Sequence, residues 1–242
     1  MNLLIDIGNT RLKWASSQNQ QLTTGPALVN TQLNQQQLWR YWQHLPKPQR
    51  IGIATVSADH LLALVQSVAA QLWPGVQIIA AQAQANAFGV INAYQQPETL
   101  GVDRWLTLVA ARHHYPAPAF IVDCGTAITI DLIDATGLHQ GGLISPGLTL
   151  MKTALAKGTA QLPLTETSFS FGLANNTAAA IYSGTLAGAA GLIEYTYQQH
   201  RDSQLILTGG DATLIAEQLL SNAIIDADLV LRGLAIVLQG ST

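Results

Sequence analysis

Sulfur, charge and basic clusters are what this sequence has least of. It carries a single cysteine, Cys124, among 242 residues, so no disulfide can close within the chain and the fold must rest on its core. Its six histidines show no HExxH spacing and there is no CxxC pair, which argues against a structural zinc. Charged residues make up only 10% of the chain, the formal net charge is −3, and lysine and arginine form no run. Without a basic stripe there is nothing to displace counter-ions from a polyanion, so neither a nucleic acid nor a membrane surface is an expected partner. No apolar stretch approaches the length of a membrane span without polar interruption, and the chain enters LLIDIG with no basic leader or cleavage site. The cytoplasm is the expected compartment, and the Asn175-Asn176-Thr177 sequon has little weight there. The phosphate-binding patterns GxxxxGK[ST] and GxGxxG are missing, as is the GxSxG elbow, so a P-loop, a Rossmann site and a serine hydrolase are unsupported.

Apolar residues are abundant, at 48% with a mean hydropathy of +0.22. That composition suits one large domain or two compact ones of about 120 residues. Residues 2–7 and 11–16 read as strands around a Gly8-Asn9-Thr10 turn, the second with the alternation of a half-buried hairpin partner. A helical spacing over 31–44 stops at Pro46 and Pro48, and RIGIATVS (50–57) reads as a strand. An amphipathic helix is expected over 59–73, a strand at 76–81, an irregular loop over 87–99 and a helix over 102–114 with Trp105 in the core. After Pro116 and Pro118 the opening pattern returns: AFIVDCGTAITIDLID repeats NLLIDIGNTRLKWAS, an apolar strand closing on Asp, then X-Gly, then Thr, then an alternating strand. Two related halves are therefore expected, 1–117 and 118–242. In the second, Gly141, Gly142, Pro146 and Gly147 mark a strand-to-helix turn, 158–176 a polar loop, and 177–199 one or two helices rich in small residues. Such residues suit an internal helix or a subunit interface. QLILTGGDA is the last strand and turn, and TLIAEQLL and DADLVLRGLAIVLQG the closing helices.

Each Asp-X-Gly has two readings. A glycine after a buried strand lets the backbone approach a ligand, and the N–H groups of Gly8, Asn9 and Thr10 could form an anion-binding concavity. Asp6 beside it would repel phosphate unless Mg²⁺ lay between them, directly or through water, and Lys13 could add a positive charge. Alternatively the turn is a plain Gly-Asn hairpin whose Asp and Thr cap backbone groups. In ETLGVDRWLTL, Asp103 and Arg104 fall in the first turn of a helix after Gly101. The carboxylate could take a proton from a hydroxyl while the guanidinium engages a substrate carboxylate, or Asp103 could merely suit the helix dipole beside an exposed Arg104. Gly209-Gly210 could leave room for a flat ring or form a tight turn.

Taken together, Asp6-Ile7-Gly8-Asn9-Thr10, Gly101-Val102-Asp103-Arg104-Trp105, Asp123-Cys124-Gly125-Thr126-Ala127, Gly141-Gly142-Leu143-Ile144-Ser145-Pro146-Gly147, Asn176-Thr177 and Thr208-Gly209-Gly210 stand in the order seen in the type III pantothenate kinases, and the chain resembles that family over essentially its whole length. The resemblance implies an α/β fold with duplicated ribonuclease-H-like domains of the acetate kinase/sugar kinase/Hsp70/actin superfamily, with a cleft between them. It implies ATP-dependent phosphorylation of pantothenate to 4′-phosphopantothenate, the first step of coenzyme A biosynthesis. Carried over by position, Asp6, Ile7, Gly8, Asn9, Thr10, Arg11, Leu12 and Lys13 would form the phosphate loop and Thr126 would touch ATP. Asp103 would be the catalytic base, and Tyr94, Gly101, Val102, Asp103, Arg104 and Thr177 would bind pantothenate. Asp123 would hold a monovalent cation, K⁺ or NH₄⁺, Asp6 would serve Mg²⁺, and a homodimer would be the working form. Val102 stands where many relatives have alanine. Two other readings compete: a kinase of the same superfamily acting on another hydroxylated small molecule, and a nucleotide-binding accessory protein of the Bvg accessory factor type.

Overall fold

The computed structural model describes residues 1–19, 21–56, 59–164 and 167–240. They form two compact units, one running Met1–His114 and resuming at Asp228, the other running Tyr115–Ala227.

The first unit contains strands β1 (Asn2–Ile7), β2 (Arg11–Gln18), β3 (Gln21–Thr24), β4 (Leu28–Val29), β5 (Arg50–Thr55) and β6 (Gln77–Ala80), and helices α1 (Gln35–Trp42), α2 (Asp59–Leu72) and α3 (Val102–His114). A small antiparallel ribbon, β7 (Asn86–Ala87) with β8 (Val90–Ile91), precedes α3. The sheet runs β3-β2-β1-β5-β6, with β1 antiparallel to β2 and parallel to β5, and β4 adds to β2. Side chains alternate across β1, so Leu3, Ile5 and Ile7 enter a core with Leu38 and Trp42 of α1 and Leu61, Val65 and Val68 of α2, while Leu4 and Asp6 lie on the opposite face. Trp42 meets Trp14 edge-on at 6.3 Å and stacks on Trp73 at 6.2 Å. α1 begins at Asn34 because the Asn34 side chain accepts the Gln37 N–H while Gln37 reciprocates, a capping box that satisfies two donors of the first turn.

The second unit contains β9 (Ala119–Cys124), β10 (Ala127–Ile133), β11 (His139–Pro146), β12 (Gln204–Thr208) and β13 (Ile224–Ile225), with α4 (Leu148–Gly158), α5 (Thr177–Tyr197) and α6 (Ala212–Ala216). Its sheet order, β11-β10-β9-β12-β13, repeats the first: a central strand antiparallel to the next in sequence on one side and parallel to a later strand on the other. Phe120, Val122 and Cys124 point into a core with Tyr182, Leu186, Ala189 and Ile193 of α5, which turns Asp123 to the other face, as in β1. The duplication expected from the two Asp-X-Gly motifs is thus a repeat of topology. The Tyr115 hydroxyl donates to Asp226 Oδ2 at 2.7 Å, tying together the two ends of this unit.

One expectation is corrected. The division at 117/118 assigned everything after it to the second half, yet helix α7 (Leu229–Gly240) belongs to the first unit, packed against α3, β1 and β5. The physical reason is close approach: a side chain at Gly233 would collide with the backbone of Leu106 in α3, and Gly52 of β5 leaves room for Leu234 and Leu238.

Smaller differences concern lengths. Strand β2 runs on to Gln18 and is followed by β3, a polar edge strand that the hydrophobic pattern does not mark. The helix expected over 31–44 is trimmed by the Asn34 cap, and the loop expected over 87–99 holds β8, the second residue of β7 and a 3-10 turn at Pro97–Thr99. The strand expected over 50–57 ends at Thr55, and Ser57 lies outside the described residues. Residues 177–197 form one helix, whose Gly184, Gly188 and Gly191 face open space. That answers the internal-helix reading in the negative for these glycines.

Candidate active site

The β1–β2 turn places the first motif. Gly8 donates its N–H to Arg11 O at 3.1 Å, and a Cβ at Gly8 would come to 3.3 Å from that oxygen, so the turn closes this tightly because residue 8 lacks a side chain. Asn9, Thr10 and Arg11 are exposed, and Asp6 and Lys13 face one another across the hairpin register, an opposite-charge pair on one face of the sheet. Asn30, in the 3-10 turn after β4, donates its Nδ2 to Gly8 O at 2.8 Å and its backbone N–H to Thr10 O at 3.0 Å. The sequence reading passed over Asn30, since no spacing rule marks a polar residue that acts across 22 positions.

A second cluster stands at the start of α3. The Gly101 carbonyl accepts the first helical N–H, from Trp105 at 2.9 Å, and Asp103 Oδ1 accepts the Arg104 N–H at 2.8 Å. A Cβ on Gly101 would lie 2.6 Å from Asp103 Oδ1, so the carboxylate occupies space that only glycine vacates. Arg104 is 5% exposed and donates to the Tyr94 hydroxyl at 2.6 Å. The reading of Arg104 as an exposed neighbour of a dipole-favoured Asp103 is therefore overturned: a buried guanidinium costs too much to be incidental and must be paired. The loop carrying Tyr94 is organised by buried Asn92, whose Oδ1 accepts the Tyr94 N–H at 3.0 Å while its Nδ2 donates to Pro97 O at 3.1 Å and Gln84 O at 3.3 Å. Asn92 too escaped the sequence reading. Trp105 is fully buried, as expected.

In the second unit Asp123 and Thr126 flank the β9–β10 turn, which is one residue shorter than its counterpart: Gly125 N donates to Ala127 O at 3.1 Å. Two chain segments crowd this turn. Gly147 donates to Thr126 O at 3.0 Å, Asp211 N–H donates to Cys124 O at 3.0 Å, and Gly209, with φ of +95°, has no room for a side chain beside Asp123 Oδ1 and the Cys124 carbonyl. Gly209 thus leaves room for the Asp123 carboxylate, while Gly210 faces open space. Burial, and then the negative charges of Asp123 and Asp211, push the Cys124 thiol well up from its ordinary range. Thr177 opens α5 as an exposed residue on a separate element, behind Asn176, whose Oδ1 caps the Ala179 N–H at 2.9 Å.

The sequence-predicted residues thus fall into Asp6–Lys13, Tyr94 with Gly101–Arg104, Asp123 with Thr126, and Thr177. A sheet topology used twice, with an Asp-X-Gly turn closing the central strand of each copy, defines a duplicated α/β fold. The fold is similar to that of a 2-dehydro-3-deoxygalactonokinase-type protein from Sinorhizobium meliloti, with a TM-score of 0.54 at 15% identity over 97% of both chains. It is also similar to that of a Baf family transcriptional activator from Campylobacter jejuni, with a TM-score of 0.58 at 26% identity over 98% of both chains. Residues 2–199 match the family model of type III pantothenate kinase. Relatives of that name include one from Nitrosococcus oceani, 36% identical over 100% of this chain and 95% of its own, and one from Laribacter hongkongensis, 37% identical over 97% of each. The chain belongs to the type III pantothenate kinase family.

Proposed function

We propose that the chain transfers the γ-phosphoryl group of ATP to the terminal hydroxyl of pantothenate, giving 4′-phosphopantothenate and ADP, the entry step of coenzyme A biosynthesis. One observation carries the substrate assignment within the chain: Asp103 adjoins buried Arg104, which is held by the Tyr94 hydroxyl at 2.6 Å. A carboxylate beside a fixed guanidinium is what a hydroxy-acid substrate asks for, a base for the hydroxyl and a partner for the carboxylate. The accessory-protein reading is not favoured, since the curated relatives along the full length are named as kinases.

Phosphoryl transfer needs positioning and charge neutralisation more than covalent chemistry. Asp103 takes the hydroxyl proton as the substrate oxygen bonds to the γ-phosphorus and the bond to the β-phosphate oxygen breaks. Arg104 and Tyr94 hold the pantothenate carboxylate and polar chain, with Gly101, Val102 and Thr177 as further contacts. The turn from Asp6 through Ile7, Gly8, Asn9, Thr10, Arg11 and Leu12 to Lys13 presents N–H groups and a positive charge to the phosphates, and Thr126 adds a nucleotide contact. Asp6, opposite Lys13 in the hairpin register, would hold Mg²⁺, which when bound would neutralise phosphate charge. Asp123, in a cradle that a Cβ at Gly209 would fill, is our proposed ligand for K⁺ or NH₄⁺. We place the enzyme in the cytoplasm, with small-molecule substrates and no nucleic-acid partner. Among the described residues no helix is long and apolar enough to cross a membrane. We further propose a homodimer that uses the outer face of α5, where Gly184, Gly188 and Gly191 leave open space and Tyr195 is 70% exposed.

The test is a coupled assay of ADP release with ATP, Mg²⁺ and pantothenate, run with K⁺ or Na⁺ as the sole monovalent cation. Turnover in K⁺ that drops in Na⁺ is expected. A folded preparation inactive in K⁺ refutes the activity, equal rates in both salts refute the cation site, and a monomeric mass by light scattering refutes the dimer.

A further inference from the structure

A hairpin turn carries as many carbonyl acceptors as N–H donors, and an anion is attracted only if the donors face it and the acceptors do not. In the β1–β2 turn two of those acceptors are engaged by a single residue: Asn30 Nδ2 meets Gly8 O at 2.8 Å and Asn30 N–H meets Thr10 O at 3.0 Å. Because a trans peptide points its C=O and the following N–H in opposite directions, fixing these two carbonyls toward Asn30 aims the N–H groups of Asn9 and Arg11 away from it, on the exposed side of the turn. The Arg11 carbonyl is also engaged, by Gly8 N–H at 3.1 Å. Asn30 Oδ1, by contrast, is buried without a hydrogen-bond partner. An amide with one satisfied donor arm and an unsatisfied acceptor is a poor investment for stability alone, since a buried acceptor left unmade costs about 1–3 kcal/mol.

We propose that Asn30 is a positioning residue of the phosphate loop, turning the carbonyls of Gly8 and Thr10 away from the nucleotide so that the Asn9 and Arg11 amides face its phosphates. This role rests on the reading of Gly8–Lys13 as the phosphate loop.

Asn30→Leu tests it, because leucine matches asparagine in shape, removes the Nδ2 donor and relieves the unpaired Oδ1. Loss of that one hydrogen bond is expected to raise the KM for ATP about tenfold, with the KM for pantothenate within about twofold and the melting temperature held or raised. A role confined to folding would lower the melting temperature and leave the KM for ATP where it was, and that result overturns the proposal. A measurement on the unmodified chain guards against a variant that fails to fold. On saturation with Mg²⁺ and the non-hydrolysable analogue AMPPNP, the Asn9 and Arg11 amide resonances should shift. If both stay put while the analogue binds, the proposal fails. If the unmodified chain does not bind Mg²⁺–AMPPNP at all, the phosphate-loop reading falls and takes this role with it; unchanged affinity in Asn30→Leu removes the role of Asn30 alone.

Discussion

Gly101→Ala isolates the placement of Asp103, the proposed base, from its chemistry. The new methyl group would lie 2.6 Å from Asp103 Oδ1, whereas ordinary contact begins at 3.4 Å. The carboxylate must then retreat by about 0.8 Å, close to the 1 Å misplacement that costs on the order of 10²-fold in rate. Retreat also strains the 2.8 Å bond from Arg104 N–H to that same oxygen, so the base loses the contact that orients it. Gly101 is not among the glycines with positive φ, so alanine meets no backbone penalty and the chain should fold with stability changed by less than about 1 kcal/mol. The assay is steady-state ADP release with both substrates varied. The expected pattern is a kcat lowered on the order of 10²-fold with the KM for ATP little changed, because the phosphate loop is untouched. Gly75→Ala is the matched control: Gly75 has a φ of +75° and open space around it, so alanine there should cost stability and leave kcat alone. A Gly101→Ala enzyme with a kcat within about threefold of the parent and a parental melting temperature would refute the steric reasoning or the assignment of Asp103.

Asp103→Asn should lower kcat by about 10²–10⁴-fold while a fluorescent ATP analogue still binds, and near-parental turnover would reassign the base. Asp123→Ala should abolish the difference between initial rates in K⁺ and Na⁺; an unchanged ratio contradicts the cation site. Gly233→Val should shift the urea midpoint downward, at a cost of about 3 kcal/mol for overpacking against the Leu106 backbone, and an unmoved midpoint would mean α7 is not seated as described. With its pKa pushed up by burial and then by Asp123 and Asp211, the Cys124 thiol should stay protonated at pH 8 and resist a disulfide reagent until the chain is denatured. Stoichiometric labelling of the native protein within minutes would contradict that environment.

How much of this was readable in the residue string differs by element. The two Asp-X-Gly turns were legible because each closes a buried strand and opens an alternating one, and the two sheets repeat one order. The start of α3 was legible from Gly101, since a turn residue followed by an acid is a helix-entry signal. The destination of residues 228–240 was not. LVLRGLAIVL is apolar on nearly all sides, which says that it is buried but not against what, and Gly233 selects α3 only through a collision visible in three dimensions. Asn30 and Asn92 were missed for a related reason: each works by bonding main-chain atoms distant in sequence or buried in a loop, which leaves no periodicity behind. Arg104 was noticed for its charge, but its burial and its bond to Tyr94, which separate a fixed guanidinium from a solvated one, leave no mark in the sequence.

The return of α7 to the first unit has a consequence for synthesis. As the chain leaves the ribosome, residues 115–227 hold every strand and helix of their own sheet and can close at once, drawn together at the Tyr115–Asp226 bond. The part that emerged earlier must wait, because the face of β1 and β5 that α7 covers stays bare until Leu229–Gly240 is released. Vectorial synthesis thus finishes the later unit first, and a ribosome that stalls or terminates shortly after Ala227 would leave a completed second unit attached to an open first one, with Leu4, Gly52 and the α3 backbone offered to any passing apolar surface.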